Sequence, residues 1–520
     1  MLNGLAVVGE FGPFDLIADR AHEQYLTGFC ERSVTTCRES LPLVLAAGDR
    51  ITARYLRYVC GVALQELGRH AEVVAESQRL LADIDATTEP FWRAKGLALL
   101  AEACISLGEM TRAMDALAEG SYLLASTPSR AYNHMSASMA VALALRAINL
   151  YEQADDLLLA VVHNEDPGLD VLVLQEATLL HAYWAATLDL LGHHDEASRH
   201  VIVCAQRAQR LRRDAVAAGH EEMAARADLY EAFAWERLGE RELAERLLLA
   251  ALDANPLRDE LVEADLMHLT MGRIAAGRGD LDDARKHLII STTGAEQAGR
   301  DIWAATGLTV LAEIDELEFG PHPAVGRWRF LARQLVARIW LDREGRFSAL
   351  RARIRVRELL DQADRMGQAA REDPLTGLGN RRRLIEHVGA AERELSAIFV
   401  DIDRFKDVND TFSHEVGDEV LRRLAAVLMS HCRADDVVVR YGGDEFLVLT
   451  TGDPTVAGAV AQRVHAAVRA TAWQEVARDL RVTVSVGVAT GLPAQDALGA
   501  ADAALYAAKR AGRDQVVSAG

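Results

Sequence analysis

The chain has 520 residues, half of them apolar and 26% charged, which is ordinary for globular protein but too long for one core, so about three units are expected. Its net charge of −20 argues against broad nucleic-acid binding and against docking on anionic lipid. No apolar run approaches the ~20 residues that span a bilayer, which excludes a membrane-spanning helix.

The chain begins MLNGLAVVGEFGPFDLIADR, without the basic start of a secretory signal. Six scattered cysteines (Cys30, Cys37, Cys60, Cys104, Cys204 and Cys432) show no CxxC spacing. Metal clusters and disulfide scaffolds are therefore not expected, and the expected location is a reducing cytoplasm.

Residues 50 to 300 are rich in Ala and Leu and read with helical periodicity. Turns recur at Gly68, Gly108, Gly192, Gly239 and Gly279, with Asn149 filling the one gap, at spacings of 40, 41, 43, 47 and 40 residues. Five residues after these turns stand Ala113, Ala154, Ala197, Ala244 and Ala284, with only Gly68 lacking its alanine. Each repeat reads as a helical hairpin, the turn residue capping the first helix and the alanine letting the second pack closely. The pattern resembles a tetratricopeptide-type solenoid with longer repeats, whose concave groove would suit a protein or peptide partner.

Between Arg327 and Glu358 there are ten arginines against three acidic residues, which reads as a solvated helix face balanced by acidic neighbours. Val356, Leu359, Ala363, Met366 and Ala370 then form a short heptad seam, the mark of a helical connector able to pair in a dimer.

From Asp373 onward strand and helix signals alternate. LSAIFVDID (395–403) reads as a buried strand ending in acids, EVLRRLAAVLMSHC as a helix, and VVVRYGGDEFLVLT as a hairpin turning at Gly442-Gly443. A helix TVAGAVAQRVHAAVRAT, a strand RVTVSVGVAT and a helix ADAALYAAKRAG follow, a pattern that suits an α/β sandwich. Asp401 at a strand end and Asp444 beside the hairpin turn would bring hard oxygen ligands to one sheet end, with the Ile402 carbonyl nearby, a set that suits Mg²⁺.

RYGGDEF, with DIDRFKDVNDTFSHEVGDEVL before it and DPLTGLGNRR at the domain entrance, resembles the GGDEF family of diguanylate cyclases from Asp373 to about Val517. The resemblance implies condensation of two GTP into cyclic di-GMP and two pyrophosphates, in a homodimer whose subunits each hold one GTP. It implies two Mg²⁺ per active site, or Mn²⁺ in their place, held by Asp401, Ile402, Asp444 and Glu445, with Asp444 as proton acceptor and Glu445 helping hold the second metal. The expected substrate contacts are Asn409 and Asp418 for guanine, with His414 between them, and Gly442 and Gly443 for close backbone approach. Phe405 and Lys406 offer backbone amides to phosphate, and Lys509 and Arg513, four apart on one helix face, reach the triphosphate. Ser413 stands where the family usually has glycine, and Asp444 where many relatives have Glu. Arg433 and Asp436 resemble the family's inhibitory site for cyclic di-GMP.

The expected architecture is therefore multidomain. Residues 1–320 form an all-α, tetratricopeptide-like repeat region, 321–371 a helical linker with a short coiled coil, and 372–520 an α/β GGDEF domain. That domain is expected to have a central, mainly antiparallel sheet flanked by helices. The alternative function is a non-catalytic receptor or scaffold for cyclic di-GMP; synthesis of another cyclic dinucleotide is opposed by Asp418.

Overall fold

The computed structural model describes residues 14–84, 88–129, 132–162, 167–254, 261–390, 394–451 and 454–519. Most of the opening segment examined for a signal sequence, residues 1–13, lies outside the described residues. The chain divides into two units, Met1–Glu358 and Leu359–Gly520. Among the described residues no helix is long and apolar enough to cross a membrane.

In the first unit, helices follow one another as antiparallel pairs, from Asp15–Leu26 with Cys30–Ala46 to Val262–Arg278 with Leu281–Gln297. The turn residues carry the conformation their type permits. Gly68, Gly108, Gly192, Gly239 and Gly279 have φ between 69° and 91°, and Asn149 has φ 61°. Ala113, Ala154, Ala197, Ala244 and Ala284 are buried at the helix-pair contacts. A further hairpin precedes the expected region. It turns at Gly28, with φ 78°, and buries Ser33, whose Oγ donates to the Ala21 carbonyl at 2.7 Å.

The row of hairpins also closes on itself. Arg300 pairs with Glu66 at 3.1 Å and with Asp265 at 2.6 Å, Arg226 donates to the Leu26 carbonyl, and a Cβ on Gly68 would lie 2.6 Å from the Gln297 carbonyl. The inner surface lines a concave cavity of about 520 Å³.

The helix Pro323–Ala369 carries the arginine-rich segment. Arg329, Arg343, Arg353 and Arg357 pair with Glu316, Glu152, Asp115 and Glu119 at 2.7–2.9 Å, so acidic residues of the preceding helices balance this face.

The second unit is a five-stranded mixed sheet between two helical layers. Its strands are β1 (Leu395–Ile402), β2 (Val437–Gly442), β3 (Glu445–Thr450), β4 (Val484–Leu492) and β5 (Val516–Ser518), in the order β2-β3-β1-β4-β5. Only β4–β5 is parallel. Central β1 is buried on both faces, so it reads as a continuous apolar run. Ile398, Val400 and Ile402 pack with the helices His414–His431 and Pro454–Ala470, while Ala397 and Phe399 pack with Arg381–Ala390 and Ala494–Arg510.

Close helix pairing in the first unit leaves no room for larger side chains. A Cβ on Gly272 would already lie 2.6 Å from Leu288 Cγ and 3.1 Å from the Ala284 carbonyl. Ala284→Leu should lower unfolding free energy by about 1–3 kcal/mol through overpacking, measured by urea denaturation followed by circular dichroism.

Candidate active site

Antiparallel pairing on both sides of β1 fixes the position of Asp401. It stands opposite Glu445 of β3 and Ser485 of β4 and is buried. By strand alternation its side chain shares the face of Ala397 and Phe399, the face covered by the helix Ala494–Arg510. From that helix Lys509 reaches Asp401 with an Nζ–Oδ2 distance of 2.7 Å. The helix can lie this close because β4 has glycine at 487, where a Cβ would collide with the Ala501 carbonyl and the Leu505 amide.

The hairpin differs from expectation by one residue. Gly442 belongs to β2 and pairs with Glu445, so the two-residue turn is Gly443-Asp444, with Gly443 at φ 52°. Asp444 thus sits at the turn itself, freed from strand alternation, and its carbonyl accepts from the Ile402 amide at 3.4 Å. Asp401, Asp444 and Glu445 therefore meet at one sheet end. Burial pushes the Asp401 carboxyl up to about 6, and the like charges of Asp444 and Glu445 add to this while Lys509 opposes it.

Three carboxylates sharing one lysine fit a divalent cation, with the Ile402 carbonyl as a further hard donor. Among the described residues no three acidic, His or Cys side chains close into a metal cage.

The chain leaves β1 through a strained corner. Arg404 has φ 54° and begins the helix Phe405–Phe412, which starts without a side-chain cap, so Phe405 and Lys406 are its first two residues. Asn409 and Asp410 belong to this helix. The next helix, His414–His431, starts after Ser413, whose φ of 140° lies in a region that glycine occupies freely and whose Oγ accepts from the Val416 amide at 3.4 Å. His414 is exposed at the helix start, and Asp418 lies one turn on.

Two positioning residues escaped the sequence reading. A Cβ on Gly417 would fall on the Asn409 side-chain oxygen and 3.3 Å from the Phe405 ring, so this glycine leaves room for the Asn409 side chain against the second helix. Asp403 accepts from Ser485 Oγ at 2.6 Å, Thr483 Oγ1 at 2.7 Å and the Asp514 amide at 3.0 Å, tying β1 to β4 and to the C-terminal turn. A helical glycine after a cap, and the second acid in DID, were the available signals.

Arg513 departs from expectation. The helix ends at Arg510, and Gly512 (φ 118°) and Arg513 (φ 67°) form a turn anchored by Asp403, so Lys509 and Arg513 do not share a helix face. Across the domain, Asp436 Oδ2 accepts from the Arg433 amide at 2.7 Å, closing a turn that leaves the Arg433 side chain exposed.

Residues 370–515 match the family described as diguanylate cyclase, GGDEF domain. This stretch is a GGDEF domain. The chain is 37% identical over 173 residues to diguanylate cyclase DosC of Escherichia coli, covering 31% of this chain and 37% of DosC. It is 38% identical over 174 residues to the response regulator PleD of Caulobacter vibrioides, covering 31% of this chain and 38% of PleD. The chain thus spans less than two-fifths of the length of either curated relative. A crystal structure of the coiled coil and GGDEF domain of DgcB from Caulobacter crescentus, in complex with c-di-GMP, matches at 29% identity, over 34% of this chain and 100% of that chain, with a TM-score of 0.32.

Two predictions follow from the geometry of this GGDEF domain. In metal-free protein, carboxyl NMR should find Asp401 titrating near pH 6; Asp444→Asn should lower that value by removing a like charge, and Lys509→Met should raise it. Gly417→Ala should displace the Asn409 side chain, seen as a shift of its side-chain amide resonances in NMR, while the circular dichroism spectrum stays unchanged.

Proposed function

We propose that the chain is a diguanylate cyclase that joins two GTP into cyclic di-GMP with release of two pyrophosphates. The observation that carries this is the convergence of Asp401, Asp444 and Glu445 under Lys509 within a GGDEF domain. In this reading Asp401, Asp444, Glu445 and the Ile402 carbonyl hold divalent cations. Bound Mg²⁺ or Mn²⁺ supplies charge neutralisation at the phosphates and lowers the pKa of the attacking hydroxyl.

The chain's own residues do the rest. Asp444 accepts the proton of a 3′-hydroxyl, whose oxygen bonds to the α-phosphorus of the GTP held by a second subunit as pyrophosphate leaves. The amides of Phe405 and Lys406, at an uncapped helix start, cradle phosphate. Lys509 exchanges Asp401 for the triphosphate once cations balance the carboxylates, and Arg513 adds charge from the neighbouring turn. Asn409 and Asp418 accept from N1–H and the amino group of guanine, with His414 at the rim and Gly442 and Gly443 allowing close approach.

Since each subunit holds one GTP, catalysis requires a homodimer. The exposure of Val356, Leu359 and Met366 along the connector supports pairing there. Residues 1–320 act as a tetratricopeptide-like sensor, 321–371 as the connector and 372–520 as the catalytic domain. Arg433 and Asp436 bind product and restrain turnover, the arginine fork pairing with guanine O6 and N7.

Purified full-length protein with Mg²⁺ and GTP should form cyclic di-GMP and pyrophosphate. ATP should turn over on the order of 10⁴-fold more slowly, because an unmet carboxylate at Asp418 penalises adenine. Asp444→Ala should lower the rate at least about a hundredfold while leaving product binding intact. Binding of cyclic di-GMP with no product from GTP would favour the receptor alternative, and mixed products from ATP would overturn the guanine assignment.

A further inference from the structure

The cavity inside the helical unit is walled unlike a packing defect. Empty cavities in proteins are apolar, whereas this one, at about 520 Å³, is lined by six tyrosines and by charged groups from several hairpins. It lies in the volume range of small-molecule sites.

Most of its charges are paired. Arg300 bridges Glu66 and Asp265, and Arg226 lies 3.6 Å from Glu263, which also accepts from Tyr230 at 2.6 Å. Two are not. Lys95 is 1% exposed and meets only aromatic faces, its Nζ 4.4 Å from the Tyr58 ring centre and 4.3 Å from that of Trp92. No carboxylate or hydrogen-bond acceptor answers it among the described residues. Glu102 likewise makes no side-chain hydrogen bond or ion pair among them, and both residues line the cavity. Arg146, whose charge bears on Glu102, has Nη1 buried without a hydrogen-bond partner, 3.6 Å from Glu176.

Lys95 and Glu102 belong to one helix, Pro90–Ser106, and are seven residues apart. They therefore share a face and stand roughly 10 Å apart along the axis. An extended peptide of three residues is about as long, at 3.3–3.6 Å per residue. An ammonium with no counter-ion and a carboxylate with no ion pair of its own, only the charge of Arg146 bearing on it, line one cavity at this spacing and complement a ligand with a carboxylate at one end and an ammonium at the other.

We propose that this cavity is a binding site for a short zwitterionic peptide, two or three residues long, with its carboxylate at Lys95 and its ammonium at Glu102. The electrostatics of the free site agree. Burial brings Lys95 down to about 7 and Glu102 up to about 7, so each stands where an opposite charge would fix it in its ionised form. The proposal gives the sensing region of the preceding section a ligand class; binding is read directly, so its outcome is separable from whether GTP is converted.

The test is calorimetric titration of full-length protein with a panel of Ala-X-Ala tripeptides. Each binder is then retested with its amino end acetylated or its carboxyl end amidated. At least one peptide should bind, and either cap should weaken it at least tenfold. Lys95→Met and Glu102→Gln should reproduce the loss for the matching end, with thermal unfolding confirming the fold. Absence of any binder, affinity indifferent to both caps, or binding of a simple dicarboxylate with equal strength would overturn the assignment. The capped peptides on unaltered protein decide the matter even if a variant fails to fold.

Discussion

A buried carboxylate beside two others is held in its charged form only by a nearby cation, and in this domain the chain supplies one. Lys509 stands 2.7 Å from Asp401, on a helix that Gly487 allows to lie directly on β4. The arrangement depends on strand order. With β1 between β3 and β4, Asp401 faces Glu445 on one side and the small Ser485 on the other, leaving room for Lys509 above. Two residues on, Asp403 gathers three donors from β4 and the C-terminal turn. Two acids at one strand end thus divide their work: Asp403 is satisfied and fixes the frame, while Asp401 shares its single lysine with two further carboxylates.

The hairpin that carries Asp444 is braced from a second direction. Arg440 donates to both Asp373 oxygens at 3.1 and 3.2 Å and, through Nε, to the Gly443 carbonyl at 2.9 Å. Burial pushes the Asp373 carboxyl up, but hydrogen bonds from Thr376 and Arg440 outweigh it and hold the group below its usual range. Asn380, at the end of the same DPLTGLGN turn, donates to the carbonyls of Ala370 and Glu372. The residues that follow the connector helix and the turn that positions Asp444 therefore belong to one hydrogen-bonded assembly within the domain. Charge-assisted bonds of this type are the stronger ones, and their loss would loosen the turn without touching Asp444.

Much of this was legible in the sequence where the signal was local. Glycine at helix ends declares a positive φ, and the capping residues from Gly68 to Gly279 carry it. The apolar run at 395–402 declares a buried strand, and the order of acidic motifs brought out the site. What was not legible depends on contacts distant in sequence or on small shifts of register. The turn moved from Gly442-Gly443 to Gly443-Asp444 because Gly442 still pairs with Glu445. Three-residue β5 exists only through β4, and no periodicity marks so short a strand. Closure of the helical unit rests on Arg300 meeting Glu66, 234 residues earlier. Gly417 and Gly487 read as weak points in a helix and a strand until the packing shows what occupies their missing side chains.

Two departures from low-energy structure lie at cavities and substrate loops, away from the repeat packing. Ser413 holds φ 140°, a conformation that costs a non-glycine residue on the order of 1–3 kcal/mol, beside the loop proposed to read guanine. Lys95 buries an ammonium against aromatic rings with no counter-charge, although a well-packed apolar side chain in such a place is often neutral or stabilising. Elsewhere the same chain pairs its buried cations well, as Arg300 with Glu66 and Asp265 shows. A protein able to satisfy those charges and leaving this one unanswered has a vacancy of charge at Lys95, and a ligand that fills it returns stabilisation that folding alone does not provide.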